Sequence, residues 1–412
     1  MNENLERSMS WITGLAALAL FSSSVLAHDQ GLWIGTWGTS PTGVPTITKL
    51  GPYILPPPIA VKGTMRYRLR VSQGGSQIRL RFSNEYGEVP LTLRTASVAL
   101  AGEGLDALPG SLKPVTFAGK GAVTIPAGAP TLSDPIDLPV KALGDVIVSI
   151  YIPEGISLFS WTAEASPTDP AVVDETDATL MEHLPRSKKI AGRPMVSAMD
   201  VLTDRVRKVI VTLGDSITDG AASTNDQNRR WPDTLAERLN RAGMTRLAVA
   251  NAGISGNRLL LTGAGPAALA RFDRDVLSVP GVRYVVVLEG VNDIGSAKNS
   301  PAGAPRAEDL IAAYRQIVAR AHAHGVKVYG ATILPYKGAG YWSEKGEAVR
   351  QTVNNWTRAP GNFDAVIDLD RAVGDKADPL TIAAAYDCGD HLHPSDAGYK
   401  AMAEAIDLKL FR

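Results

Sequence analysis

From residue 206 onward, short apolar runs alternate with amphipathic stretches, and this alternation limits the possible folds more than any other feature of the chain. The runs at 208–213, 246–250, 283–288, 326–332 and 364–368 have strand length. Helices are predicted at 231–242, 266–277, 307–324, 343–357 and 395–408, the last opening on Ser395, a good N-cap, behind Pro394. Strands that are apolar at nearly every position are buried on both faces, as in a parallel sheet covered by helices. The βα repeat therefore predicts a doubly wound α/β domain over 205–412. In such sheets ligands bind beyond the carboxyl ends of the strands, so the loops after each apolar run hold the candidate chemistry.

The stretch before residue 200 has a different texture. Met65–Val71 and Gln77–Phe82 alternate polar and apolar residues, as half-buried antiparallel strands do, and 146–151 is a third strand candidate. Gly74-Gly75, Asn84–Gly87, Pro126–Gly128 and Pro153–Gly155 read as turns between them. No long amphipathic helix precedes residue 205. These features predict a β-sandwich domain over 28–200, with Pro56–Pro58 as a surface connection and the mixed-charge segment 183–205 as the linker.

Residues 1–27 read as a cleaved signal peptide. Trp11–Phe21 is apolar but too short to span a bilayer, and Val25-Leu26-Ala27 presents small residues where a signal peptidase cuts. Glu3 and Glu6 dilute the positive end, so Met9 is an alternative start. The mature chain would begin near His28, without a membrane span, in the periplasm or outside the cell. The 412-residue chain has 42 basic and 42 acidic side chains and no basic run, which argues against a nucleic-acid or anionic-membrane partner. One cysteine, Cys388, excludes an intrachain disulfide, and no Cys/His group has structural-zinc spacing.

The apolar run Val209–Leu213 stops at Gly214-Asp215-Ser216, which places a serine at a strand end. A serine hydroxyl is a weak nucleophile until a base takes its proton. His393 is the candidate base, and Asp390, three residues upstream, the group that fixes its tautomer. Asp387 and His391 are the competing residues on that loop. Acyl transfer also needs donors for an oxyanion. The backbone N–H groups of Ser216 and Gly256 and the side chain of Asn292 supply them, with Gly253 the competing glycine. No metal or cofactor is required.

Gly214-Asp215-Ser216, Gly256, Asn292 and the Asp390–His393 pair, in that order, resemble the SGNH hydrolases, also called GDSL esterases and lipases. Ile217 stands where the family name has leucine. The resemblance covers about 205–412 and implies a flavodoxin-like three-layer α/β/α domain. It also implies a structural role for Asp215, with Ser216, His393 and Asp390 as triad and Ser216, Gly256 and Asn292 as oxyanion hole. Asn228–Asp233, Leu288–Gly295, Trp33–Trp37 and Arg81–Gly87 are similar to an extracellular branch of xylanase-associated esterases with a β-rich N-terminal region. That implies a secreted esterase acting on short-chain acyl, aryl or carbohydrate esters. The same apparatus suits a polysaccharide O-acetyltransferase, a lipase or lysophospholipase, or a mainly carbohydrate-binding protein. Cys388 reads as a packed thiol, Trp231 as core, and His322 and His324 as helix-end residues.

Overall fold

The computed structural model describes residues 31–43, 49–50, 53–54, 59–158, 171–185, 187–190, 195–205, 207–295 and 305–412. The candidate signal peptide and Pro56–Pro58 lie outside them.

The C-terminal half is built on a five-stranded parallel sheet in the order Leu247–Gly253, Lys208–Gly214, Val282–Leu288, Lys327–Ala331, Ala365–Ile367. In chain order this is 2-1-3-4-5, the flavodoxin-like arrangement. Val209–Val211 and Val285–Val287 are fully buried, as strands covered on both faces must be. Helix Trp231–Arg241 packs with Asp396–Glu404, and Ala307–Ala323 with Glu344–Arg358. Trp231 is completely buried in the first pair, in the core position expected. The segment predicted as one helix at 266–277 is α-helical over Ala268–Phe272 and continues as a π-helix over Asp273–Leu277. The order places the topological switch between Lys208–Gly214 and Val282–Leu288, the gap beside which ligands bind in doubly wound folds.

The N-terminal part is strand-rich. One antiparallel sheet has the order Leu32–Gly38, Val196–Thr203, Gln77–Asn84, Ala129–Leu132. In Gln77–Asn84 every second residue is buried, so Ile78, Leu80 and Phe82 enter the core while Arg79 and Arg81 face the other way. The second sheet centres on Ile59–Arg70 paired with Asp145–Leu158. Two expectations need correction here. Within the segment read as a linker, Val196–Thr203 is an inner strand of the first sheet. Its one charge, Asp200, is neutralised across the sheet by Arg79, Nε to Oδ2 2.9 Å, so a charged residue in the sequence did not mean a solvated segment. Pro153–Gly155 is no strand-ending turn either. It is a bulge in Asp145–Leu158, with Gly155 in the left-handed region at φ 74° and pairing resumed at Ile156.

Residues 31–412 form one compact unit. The two parts meet through close backbone approach: Gly35 N–H donates to Pro280 O at 2.9 Å, and a Cβ at Gly35 would lie 2.6 Å from Val279 Cγ1. Ser72 and Gln73 reach the strand-2 region, Val249 N donating to Ser72 Oγ at 2.9 Å and Gln73 Nε2 to Thr245 O at 2.7 Å. Among the described residues no helix is long and apolar enough to cross a membrane.

Candidate active site

The strand Lys208–Gly214 turns directly into a short helix, Ser216–Asp219. Asp215 caps it, its side chain accepting from Ile217 N at 2.9 Å. Gly214 is required by space: a Cβ there would lie 2.1 Å from Thr218 Oγ1 and 2.6 Å from Leu288 O. The turn leaves Ser216 Oγ 2.8 Å from His393 Nε2, and His393 Nδ1 2.6 Å from Asp390 Oδ2. With Asp390 ionised, Nδ1 carries the ring proton and donates it. Nε2 is then the acceptor for the serine hydroxyl.

Asp390 Oδ1 accepts from Leu392 N at 2.9 Å and His393 N at 2.8 Å. Partial burial works against its charge. The hydrogen bond and charge of His393, with those two N–H groups, outweigh burial and hold the carboxyl well below the usual range. The competing residues form their own pair: His391 Nδ1 lies 2.7 Å from Asp387 Oδ2, on a mostly exposed ring with φ 61°. Cys388 is exposed, not packed as expected. Its thiol is pushed up to about 11 by partial burial of the sulfur and by the Asp390 and Asp387 charges. Asp387, Cys388 and Asp390 are close enough to share a cation. Both carboxylates, however, are already committed to histidines and loop amides, which makes a poor donor set.

Asn292 lies on the short helix Val291–Gly295 after the third strand and is buried. Its Nδ2 donates to Asn257 O at 3.0 Å and its Oδ1 accepts from Tyr341 OH at 3.1 Å, so the carboxamide has one orientation. Gly256 has φ 74° and precedes Asn257. Gly253 serves another purpose: its Cβ would lie 2.3 Å from Asp219 N, so it permits the second loop to pack on the Ser216 helix. Ile254 N donates to Gly214 O at 3.0 Å, closing that contact.

Arg271, absent from the sequence reading, ties these loops together from behind. The side chain is buried. Its Nη2 donates to Gly214 O at 3.0 Å and to Asn257 Oδ1 at 2.8 Å, and its Nη1 to Ala252 O at 2.7 Å, Ser40 Oγ at 2.9 Å and Asp275 Oδ2 at 3.0 Å. Tyr341 was missed as well. Neither carries a sequence signal, since one is a helix arginine among several and the other a loop tyrosine. Three further carboxylates are buried here. Burial raises Asp293 to about 6 against two backbone N–H bonds, from Leu259 at 2.7 Å and Leu260 at 3.0 Å. It also raises Asp215, despite its cap bond and the nearby His393, and raises Glu289 furthest, with the Asp215 charge adding to the effect. Glu289 oxygens have no hydrogen-bond partner among the described residues, and Arg271 Nη2 stands 3.5 Å away.

Residues 212–401 match the model of the GDSL-like Lipase/Acylhydrolase family. The chain is similar to the lipase/acylhydrolase from Enterococcus faecalis at 22% identity and TM-score 0.38, covering 48% of this chain and 92% of that one. It is also similar to a catalytic mutant of an acetylxylan esterase from Geobacillus stearothermophilus, at 20% identity and TM-score 0.38, over 48% and 91%. No curated protein matches the chain. With the family match over 212–401 and the 2-1-3-4-5 parallel sheet, the C-terminal part of this chain has the SGNH hydrolase fold, and the chain is a hydrolase enzyme.

Proposed function

We propose that the chain is a serine esterase that hydrolyses carboxylic esters through an acyl-enzyme formed on Ser216. The observation that carries this reading is the continuous hydrogen-bond line from Ser216 Oγ through His393 to Asp390. Ser216 Oγ attacks the ester carbonyl while His393 Nε2 takes its proton. Asp390, held ionised, stabilises the imidazolium and keeps Nδ1 protonated. The oxyanion is held by the N–H groups of Ser216 and Gly256 and by Asn292. His393 then gives its proton to the departing alcohol. Water repeats the sequence in reverse and releases the acid. Apart from the ester and the attacking water, these steps use only groups of the chain.

Short acyl groups, acetyl foremost, are the proposed substrates, because the sequence holds no long apolar lid segment to cover a fatty chain. A carbohydrate alcohol and export from the cytoplasm follow from the resemblance to the extracellular branch and from the apolar N-terminal stretch. Ser216→Ala should lower hydrolysis of p-nitrophenyl acetate by about 10⁴-fold or more while leaving the circular dichroism spectrum intact. Full activity in that variant would remove the mechanism. Aryl esters of increasing chain length, run beside acetylated xylan with released acid measured, test the substrate class. Rates that rise with chain length would overturn the preference for acetyl. Cell fractionation, with the protein expected outside the cytoplasm, tests export.

A further inference from the structure

A cavity of about 450 Å³ lies between the first antiparallel sheet and the α/β half. Val211, Ala250 and Pro280 contribute its wall on the α/β side, and Trp37, Arg79 and Asp200 its wall on the other. Ser216, His393 and Asn292 do not line it, so it is separate from the reaction centre. Its volume falls in the ~300–1,000 Å³ range of small-molecule sites.

Each arginine in its wall already has a carboxylate partner. Arg79 pairs with Asp200 at 2.9 Å, Arg81 with Glu85 at 3.1 Å, and Arg274 with Asp275 at 2.5 Å. An anion would have to compete with those carboxylates for each guanidinium. Hydrogen-bonding capacity nevertheless remains. Arg79 spends only Nε on Asp200, and its two terminal nitrogens make no hydrogen bond among the described residues. The guanidinium is held in place over the Trp33 ring, 4.6 Å from its centroid. A fixed pair of donors therefore stands beside a carboxylate acceptor. That edge suits adjacent hydroxyl groups, each of which must both donate and accept. Much of the remaining lining is apolar, including Trp37, Val279 and, at the exposed rim, Leu132. A ligand with a hydroxyl-rich edge and an apolar face meets both demands.

We propose that this cavity binds a neutral sugar of one or two rings, with Arg79 and Asp200 holding a pair of its hydroxyls. The site lies one side chain away from the arginine behind the nucleophile turn: Asp275 in its wall accepts from Arg271 at 3.0 Å, and Arg271 also holds Gly214 O.

The test is calorimetric titration of the full chain with cellobiose and xylobiose, beside glucuronate as an anionic probe. Saturable binding of a neutral disaccharide is expected, weakened at least ~10-fold by Arg79→Gln and abolished by Ala198→Phe, which fills the cavity. Melting curves establish that each variant folds, and either folded variant suffices. Inhibition of p-nitrophenyl acetate hydrolysis by the bound disaccharide, if any, should be non-competitive. The proposal is overturned if neither disaccharide binds, if both folded variants bind as well as the parent chain, or if glucuronate binds more tightly. Competitive inhibition with undiminished binding to the variants would place the sugar at Ser216 instead. Because the probes carry no ester, these results stand apart from whether Ser216 performs hydrolysis.

Discussion

A carboxamide donor works only if it points the right way, and Asn292 does not fix its own direction. Asn257 O sets it by accepting from Nδ2, and Tyr341 holds it there by donating to Oδ1 from the other side. The Tyr341 ring fits only because residue 295 is glycine; a Cβ there would lie 2.0 Å from its Cδ2. Tyr341→Phe should lower kcat roughly 3- to 10-fold, the worth of one hydrogen bond of about 0.5–1.5 kcal/mol, with KM little changed. An equal fall in affinity with kcat intact would argue against the positioning role. Glu289 is the second residue with a measurable signature. Its folded pKa is raised, so the native state keeps a proton that the unfolded chain releases above about 4.3. Stability from this group is therefore full below that value and falls as pH rises toward the folded pKa, by at most about 1.4 kcal/mol per pH unit. Glu289→Gln should gain melting temperature over the parent as pH goes from 5 to 8. A difference independent of pH would mean the carboxyl is not held protonated.

Among elements, the nucleophile turn depends on neighbours that are far away in sequence. The strand Lys208–Gly214 and the loops 252–257 and 290–292 meet at the switch point, where Arg271 from the next helix spans the gap. Arg271→Met removes a buried cation that shares Asp275 with Arg274 and stands 3.5 Å from Glu289, and it takes a donor away from the Gly214 and Ala252 carbonyls. A loss of roughly 3–5 kcal/mol in urea unfolding is expected, the usual cost of breaking a buried pair. A loss below 1 kcal/mol would show that the loops hold each other without it. Element type and position were largely legible here. The predicted runs 208–213 and 283–288 fall within a residue of the strands Lys208–Gly214 and Val282–Leu288, because double-sided burial writes a continuous apolar run. The short helices Ser216–Asp219 and Val291–Gly295 were not legible. Four or five residues carry too little periodicity, and these helices owe their existence to the turn geometry at a sheet edge.

At the scale of the whole molecule, the strand-rich part completes the α/β part as well as preceding it. Ser40 reaches Arg271, and Arg274 Nη2 reaches Pro41 O at 3.1 Å. Expressed alone, residues 206–412 should be aggregated or melt well below the full chain, since Gly35, Gly38 and Ser72 would no longer cover Val279, Ala250 and Val249. A soluble fragment with an undiminished melting temperature would contradict this. A complementary fragment ending at residue 200 would cut Val196–Thr203 in the middle of a sheet, so 205 is the better end point.

By itself the sequence determined the parallel α/β class and the candidate residues Ser216, Gly256, Asn292, Asp390 and His393. Burial on both sheet faces and acyl-transfer chemistry both leave marks that local residue types can carry. It also left Asp387 beside Asp390, and His391 beside His393, as rivals on one loop. The fold sets the two pairs apart in space, giving each histidine its own carboxylate and bringing just one to Ser216 across 177 residues of chain. Arg271, Tyr341 and the cavity lined by Arg79 belong to the tertiary structure alone. Each acts through partners distant in sequence, and no local pattern encodes which groups a folded chain will bring within hydrogen-bonding distance.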